Sequence, residues 1–230
     1  MAKKPLMQRF AKWHIWIGWA AGLPVLMWMV TGLFMAARPI EDVRGNHLRV
    51  EVEEQPLILP GSALATEEFP LKEMRAVMQD GRAVAILTGM DGSVRRVAME
   101  SGDVLPPLAA ADARRIAAER IHGGDKATSV RLFGADRVPF EFRRPVPVWQ
   151  VALEDGTHVY IGRDTGQIEA VRTRWWRGFD FMWGLHILDP IEREDTSHPL
   201  LIAAAVIGTI AALLGCILLF RRRKARIPGT

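Results

Sequence analysis

Apolar positions along the chain fall into two long uninterrupted runs and, between them, a series of short ones. Residues 13–37, "WHIWIGWAAGLPVLMWMVTGLFMAA", contain no Asp, Glu, Lys or Arg, and neither do residues 199–220, "PLLIAAAVIGTIAALLGCILLF". Crossing a ~30 Å hydrocarbon core takes about 20 helical residues, so both runs predict transmembrane helices. A helix on the surface of a water-soluble core would keep a polar face, and neither run has one. Pro24 removes a backbone donor inside the first helix and predicts a kink there. Gly18 and Gly22, and Ala204, Gly208 and Ala212, form small-residue stripes suited to close helix pairing, within the chain or across a dimer.

The short runs repeat. Residues 82–105, "RAVAILTGMDGSVRRVAMESGDVL", and residues 147–169, "PVWQVALEDGTHVYIGRDTGQIE", share one plan. Eight residues separate Asp91-Gly92 from Ser101-Gly102, and eight separate Asp155-Gly156 from Thr165-Gly166. Each copy predicts a strand, a tight Asp-Gly turn, a strand, a second Gly turn and a short third strand. Residues 70–80, "PLKEMRAVMQD", and 110–121, "AADARRIAAERI", with Leu71, Met74 and Met78, and Ile116 and Ile121, supplying apolar faces, predict a helix before each meander. Neither unit is large enough to bury a core alone, so the two pack as one α+β domain.

Just before the second apolar run lies "TRWWRGFDFMWGLHILDP", residues 173–190. At helical spacing Trp175, Phe179, Trp183 and His186 share one face, as in an amphipathic segment at a membrane interface.

Charge adds orientation. The net charge is +4, but the basic residues cluster beside the apolar runs: Lys3, Lys4, Arg9 and Lys12 at one end, Arg221, Arg222, Arg223, Lys224 and Arg226 at the other. That distribution reads as a topology signal and excludes a nucleic-acid surface. It puts both termini in the cytoplasm and the central region in the periplasm, with the first helix an uncleaved anchor in the bacterial inner membrane. The expected organisation is a cytoplasmic N-terminus (1–12), a first membrane helix (13–37) and a periplasmic domain (38–172) with repeats at about 60–106 and 107–172. An interfacial segment and connector (173–198), a second membrane helix (199–220) and a basic cytoplasmic tail (221–230) complete it. The single cysteine, Cys216, lies inside the second run, which excludes an intrachain disulfide framework and a Cys-based zinc site.

The stretch "VWQVALEDGTHVYIGRDTGQI" with its preceding helix resembles a PepSY domain. The stretch "KWHIWIGWAAGLPVLMWMVTGLFM" resembles the first membrane helix of the PepSY-associated transmembrane family, on His14, Trp16, Gly18, Thr31 and Gly32. The resemblance covers most of the chain and implies a membrane helix on either side of the repeats. Larger members have about four spans and include inner-membrane reductases of ferric siderophores that hold b-type haem between helices. This chain has two spans.

Haem b held by two histidines needs facing imidazoles across an apolar slot and cations for the propionates. His186 and His198 are the expected ligands near the outer face, with Arg174 and Arg177 as propionate partners. His14, amid Trp13, Trp16 and Trp19, is a third candidate; an ionisable group in a span marks function by default, although an imidazole snorkelling into a Trp belt is the plain alternative. The far helix offers only Cys216 at that depth, so a haem on His14 calls for a second chain, most simply a homodimer mate. His47 and His122 read as solvated loop residues, and His158 shares a strand face with Tyr160. No nucleophile, acid–base pair or nucleotide loop is visible. Any catalysis would therefore be electron transfer, and the resemblance implies the haem-dependent ferric-reductase type, to ferric iron or a ferric siderophore. The alternative is a non-catalytic, membrane-tethered PepSY module that binds or restrains a periplasmic partner.

Overall fold

The computed structural model describes residues 6–51 and 70–225. The opening of the first expected repeat, residues 60–69, lies outside the described residues. The chain forms two compact units, one made of the segments up to Pro39 and from Gly178 onward, the other of Ile40–Arg177.

In the first unit, helices α1 (Leu6–Ala36) and α5 (Pro199–Ala225) pack against each other. Their candidate spans are Gln8–Ala36 and Pro199–Leu219. A Cβ on Gly215 would stand 3.0 Å from His14 Cε1, and one on Gly208 would stand 3.7 Å from Val25 Cγ2. As one residue number rises the other falls, so the pair is antiparallel. Ala21 and Ala211 are buried along the same seam. Of the two small-residue stripes, Ala204 and Gly208 lie on the seam and Ala212 is exposed, while nothing stands within 4 Å of where a Cβ on Gly18 or Gly22 would be. The outward positions are apolar and exposed, among them Trp16, Trp19, Leu23 and Leu33, as in a helix pair solvated by lipid.

The second unit begins with a short helix, α2 (Ile40–Val43), and a 3-10 turn at Asn46–Leu48. Two four-stranded antiparallel meanders follow. The first runs β1 (Leu71–Gln79), β2 (Arg82–Gly89), β3 (Val94–Ala98), β4 (Val104–Leu105); the second runs β5 (Ala127–Phe133), β6 (Val148–Leu153), β7 (His158–Gly162), β8 (Ile168–Arg172). The Asp91-Gly92, Ser101-Gly102, Asp155-Gly156 and Thr165-Gly166 turns connect the strands expected of them, with each glycine at positive φ.

The expected helix over 70–80 is a strand. Residues of β1 pair with β2 from Gln79↔Arg82 back to Leu71↔Gly89. The cause is local: Asp80 (φ 51°) and Gly81 (φ 74°) form a two-residue turn with both φ values positive, which matches the twist of a hairpin. That turn couples 71–79 to the strongly strand-forming 82–89, and cross-strand pairing overrides the helical spacing of Leu71, Met74 and Met78. Strand β5 also exceeds the expectation, adding a fourth strand to the second meander.

The second helix is where the pattern placed it: α3 (Ala110–Arg120). Asp112 reaches back to accept from the Ala109 N–H at 3.0 Å, closing the helix start. Ala113, Ala117 and Ile121 press on Val151, Leu153, Val159, Ile161 and Val171 of the second sheet. The opposite face of that sheet buries Val148, Tyr160 and Ala170 beneath Phe142, from the loop between β5 and β6. Ala83, Ala85, Leu87, Val97 and Met99 form the core of the first sheet.

The aromatic segment forms helix α4 (Arg174–His186). Its deepest positions are Asp180 and Gly184, with Ile187 just beyond its end. The expected aromatic face of Trp175, Phe179 and Trp183 is only half-buried. The most buried stripe is the one carrying the acid.

Candidate functional site

His186 ends α4 against α1. Its Nδ1 lies 2.9 Å from Thr31 Oγ1, and its carbonyl accepts from Trp28 Nε1 at 2.7 Å. A Cβ on Gly32 would stand 3.7 Å from His186 Cε1, so the glycine leaves room for the ring. Thr31, 2% exposed, donates its single hydroxyl proton to the Met27 carbonyl at 2.7 Å. With its proton on Met27 the hydroxyl accepts toward His186, and the tautomer that matches this arrangement carries the imidazole proton on Nδ1. In the neutral ring Nε2 keeps its lone pair, and among the described residues it has no hydrogen-bond partner. An imidazole oriented through Nδ1–H with Nε2 free has the form of a metal ligand.

The connector folds back over the same helix end. Asp180 accepts from Arg193 at 2.7 Å, and Trp183 Nε1 donates to the Arg193 carbonyl at 3.2 Å. The Arg193 stem fills the space that a side chain on Gly184 would need. Asp189 accepts from the backbone N–H groups of Glu192, Glu194 and Asp195. Desolvation opposes ionisation there, but the backbone donors prevail and hold the Asp189 carboxyl below its ordinary range.

The other expected ligands have different surroundings. His198 Nδ1 accepts from the Leu200 backbone N–H at 3.3 Å, capping the start of α5. In the neutral ring that leaves the proton on Nε2. His14 packs on Gly215 with its buried Nδ1 unpaired among the described residues. It lies 17 positions before Thr31, about 26 Å along a helix, so His14 and His186 cannot share one iron. No group of three or more His, Cys, Asp or Glu side chains among the described residues is arranged to hold a metal ion. His47 and His122 are exposed, as expected of loop residues.

In the second unit Arg177 is already engaged. Its Nε donates to Glu141 Oε2 at 2.7 Å and its Nη1 to the Gly156 carbonyl at 2.8 Å. Glu141 Oε1 also accepts from Tyr160 at 2.6 Å and His158 Nδ1 at 2.5 Å, and Gln150 donates to the Tyr160 hydroxyl at 2.6 Å. His158 and Tyr160 do share a strand face, and Glu141 is what they face. Burial works against a charged Glu141, but the His158, Arg177 and Tyr160 donors outweigh it and hold its pKa at about 2. Burial and the adjacent carboxylate push the Tyr160 phenol up. Arg174 stands over the Asp155-Gly156 turn. Sequence reasoning passed over Glu141 and Asp180. The signal for both is an acid set among aromatics, Phe140-Glu141-Phe142 and Phe179-Asp180-Phe181.

These features define a membrane protein in which two lipid-exposed helices flank an α+β domain built of two meanders. The chain belongs to the PepSY-associated transmembrane family: the profile described as the PepSY-associated TM region matches residues 11–229. Searches of curated proteins and of solved structures gave no significant match.

Proposed function

We propose that this chain is an inner-membrane PepSY protein that holds haem b through His186 and passes electrons to ferric iron or a ferric siderophore. The observation that supports the reading is the Thr31–His186 contact, which favours the Nδ1–H tautomer and so leaves Nε2 for a ligand role. When bound, haem supplies one-electron iron chemistry. Thr31 orients the ring, and Trp28 anchors the end of α4.

The residues fit the group on one side. Arg177 is committed to Glu141, and His198 acts as a ligand through Nε2 only by giving up its cap or its Nε2 proton. A second iron ligand would have to come from another membrane helix, in a homodimer or a partner protein, and the same would hold for any haem on His14. The basic flanks support cytoplasmic termini and a periplasmic domain.

A second reading is a non-catalytic, membrane-tethered PepSY module that binds or restrains a periplasmic partner. It is favoured by the commitment of both Arg177 and His198 to bonds within the chain. Absorption spectra of the protein purified from haem-replete membranes, with and without dithionite, separate the two. The haem reading requires a Soret band that His186→Ala abolishes. Absence of the band, or its survival in His186→Ala, rejects the assignment.

A further inference from the structure

Between the two sheets of the Ile40–Arg177 unit lies a cavity of about 290 Å³ that the haem reading does not use. Its volume sits at the lower edge of the small-molecule range, roughly 300–1,000 Å³. Three guanidinium groups line it: Arg49, Arg96 and Arg120. So do two carboxylates, Asp80 and Glu119, but both are engaged from outside the cavity by Arg115. Asp80 accepts from Arg115 through both oxygens, at 3.0 and 2.9 Å, and Glu119 at 3.2 Å.

The three arginines make no direct hydrogen bond to a carboxylate among the described residues; Asp80, Asp112 and Asp164 act on Arg96, and Asp80 on Arg120, only through space. Arg96 donates only to neutral oxygens, of Gln79 at 3.2 Å and of the Pro106 carbonyl at 2.6 Å, and its buried Nε is unpaired among the described residues. Arg49 makes one long contact, 3.4 Å, to the Ile168 carbonyl. No carboxylate among the described residues lies within ion-pair distance of Arg49, Arg96 or Arg120. Val77, Met78 and Ile116 supply an apolar wall beside these charges. Guanidinium forks match the planar oxygens of a carboxylate, and the apolar wall suits a hydrocarbon body.

We infer that this cleft binds a small organic carboxylate, its acid group on the arginines and its apolar part against Met78. The site is independent of haem and of the histidines.

The test uses the full chain in lipid nanodiscs with ε-¹³C-labelled methionine. Met78 lines the cavity, while Met90 is 70% exposed away from it. The probe is 3-phenylpropionate, compared with its uncharged amide. The expected result is a saturable shift of the Met78 methyl, with Met90 unmoved and the amide at least about tenfold weaker. Arg49→Gln and Arg120→Gln each reduce the preference for the acid, with an unchanged Met99 signal showing that the fold is intact. The proposal is overturned by no Met78 shift, by equal binding of acid and amide, or by an undiminished acid preference in both folded variants.

Discussion

Thr31 and His186 are 155 positions apart, and they meet through a single 2.9 Å contact that favours a proton on the imidazole Nδ1. Thr31 donates to Met27, so only its lone pair is left for His186. Thr31→Val removes that acceptor while preserving shape, and leaves a partly buried N–H unpaired. The expected destabilisation is about 1–3 kcal/mol, read by thermal unfolding in detergent, with Thr31→Ser close to wild type. ¹⁵N shifts of His186 should report a loss of the Nδ1–H form in the valine variant alone.

Glu141 sets a pH dependence. Its folded pKa, about 2, lies below the ordinary carboxylate value of 4.5. A depressed carboxylate stabilises the fold above the unfolded value and loses that contribution as pH falls through the folded one. Stability from this network should be complete above about pH 4.5 and decline between there and about pH 2. Glu141→Gln should flatten that part of the pH–stability curve. At neutral pH it should cost about 1–3 kcal/mol, because the amide offers Arg177, His158 and Tyr160 one uncharged acceptor oxygen in place of a carboxylate.

The matched turns of the two meanders differ in what surrounds them. Gly92 (φ 80°) and Gly156 (φ 82°) have the same backbone, but a Cβ on Gly92 meets nothing within 4 Å, whereas one on Gly156 stands 2.8 Å from Arg174 Nε. Alanine at either position carries the backbone strain, about 1 kcal/mol. Gly156→Ala should in addition displace Arg174, so it should lower the unfolding temperature more than Gly92→Ala does.

Helix packing makes a similar contrast inside the first unit. Gly215→Leu would push into the His14 ring and should destabilise the α1–α5 pair by about 1–3 kcal/mol. Gly22→Ala enters open space and should be neutral or stabilising, by up to about 1 kcal/mol. Urea or detergent titration of helix content would rank the two.

The two spans, four of the strand-connecting turns, α3 and the helical form of α4 are legible in the amino-acid pattern alone. Each is written in a local period or a turn residue, and local chemistry enforces each. It also held the cue to its own error at 70–80, since Asp80-Gly81 is the same kind of dipeptide as Asp91-Gly92. Weighed as a turn, it reads as a hairpin; weighed as the end of an apolar 3.6-residue pattern, it reads as a helix. Tertiary structure decided the rest. Whether His186 or His198 offers Nε2 depends on which hydrogen bond occupies Nδ1, and that partner is Thr31 from a distant helix in one case and the next turn of backbone in the other. Arg177 looked available for an anionic ligand until Glu141, 36 positions earlier, was brought beside it. Periodicity can place a side chain on a face, but only the folded chain supplies what that face meets.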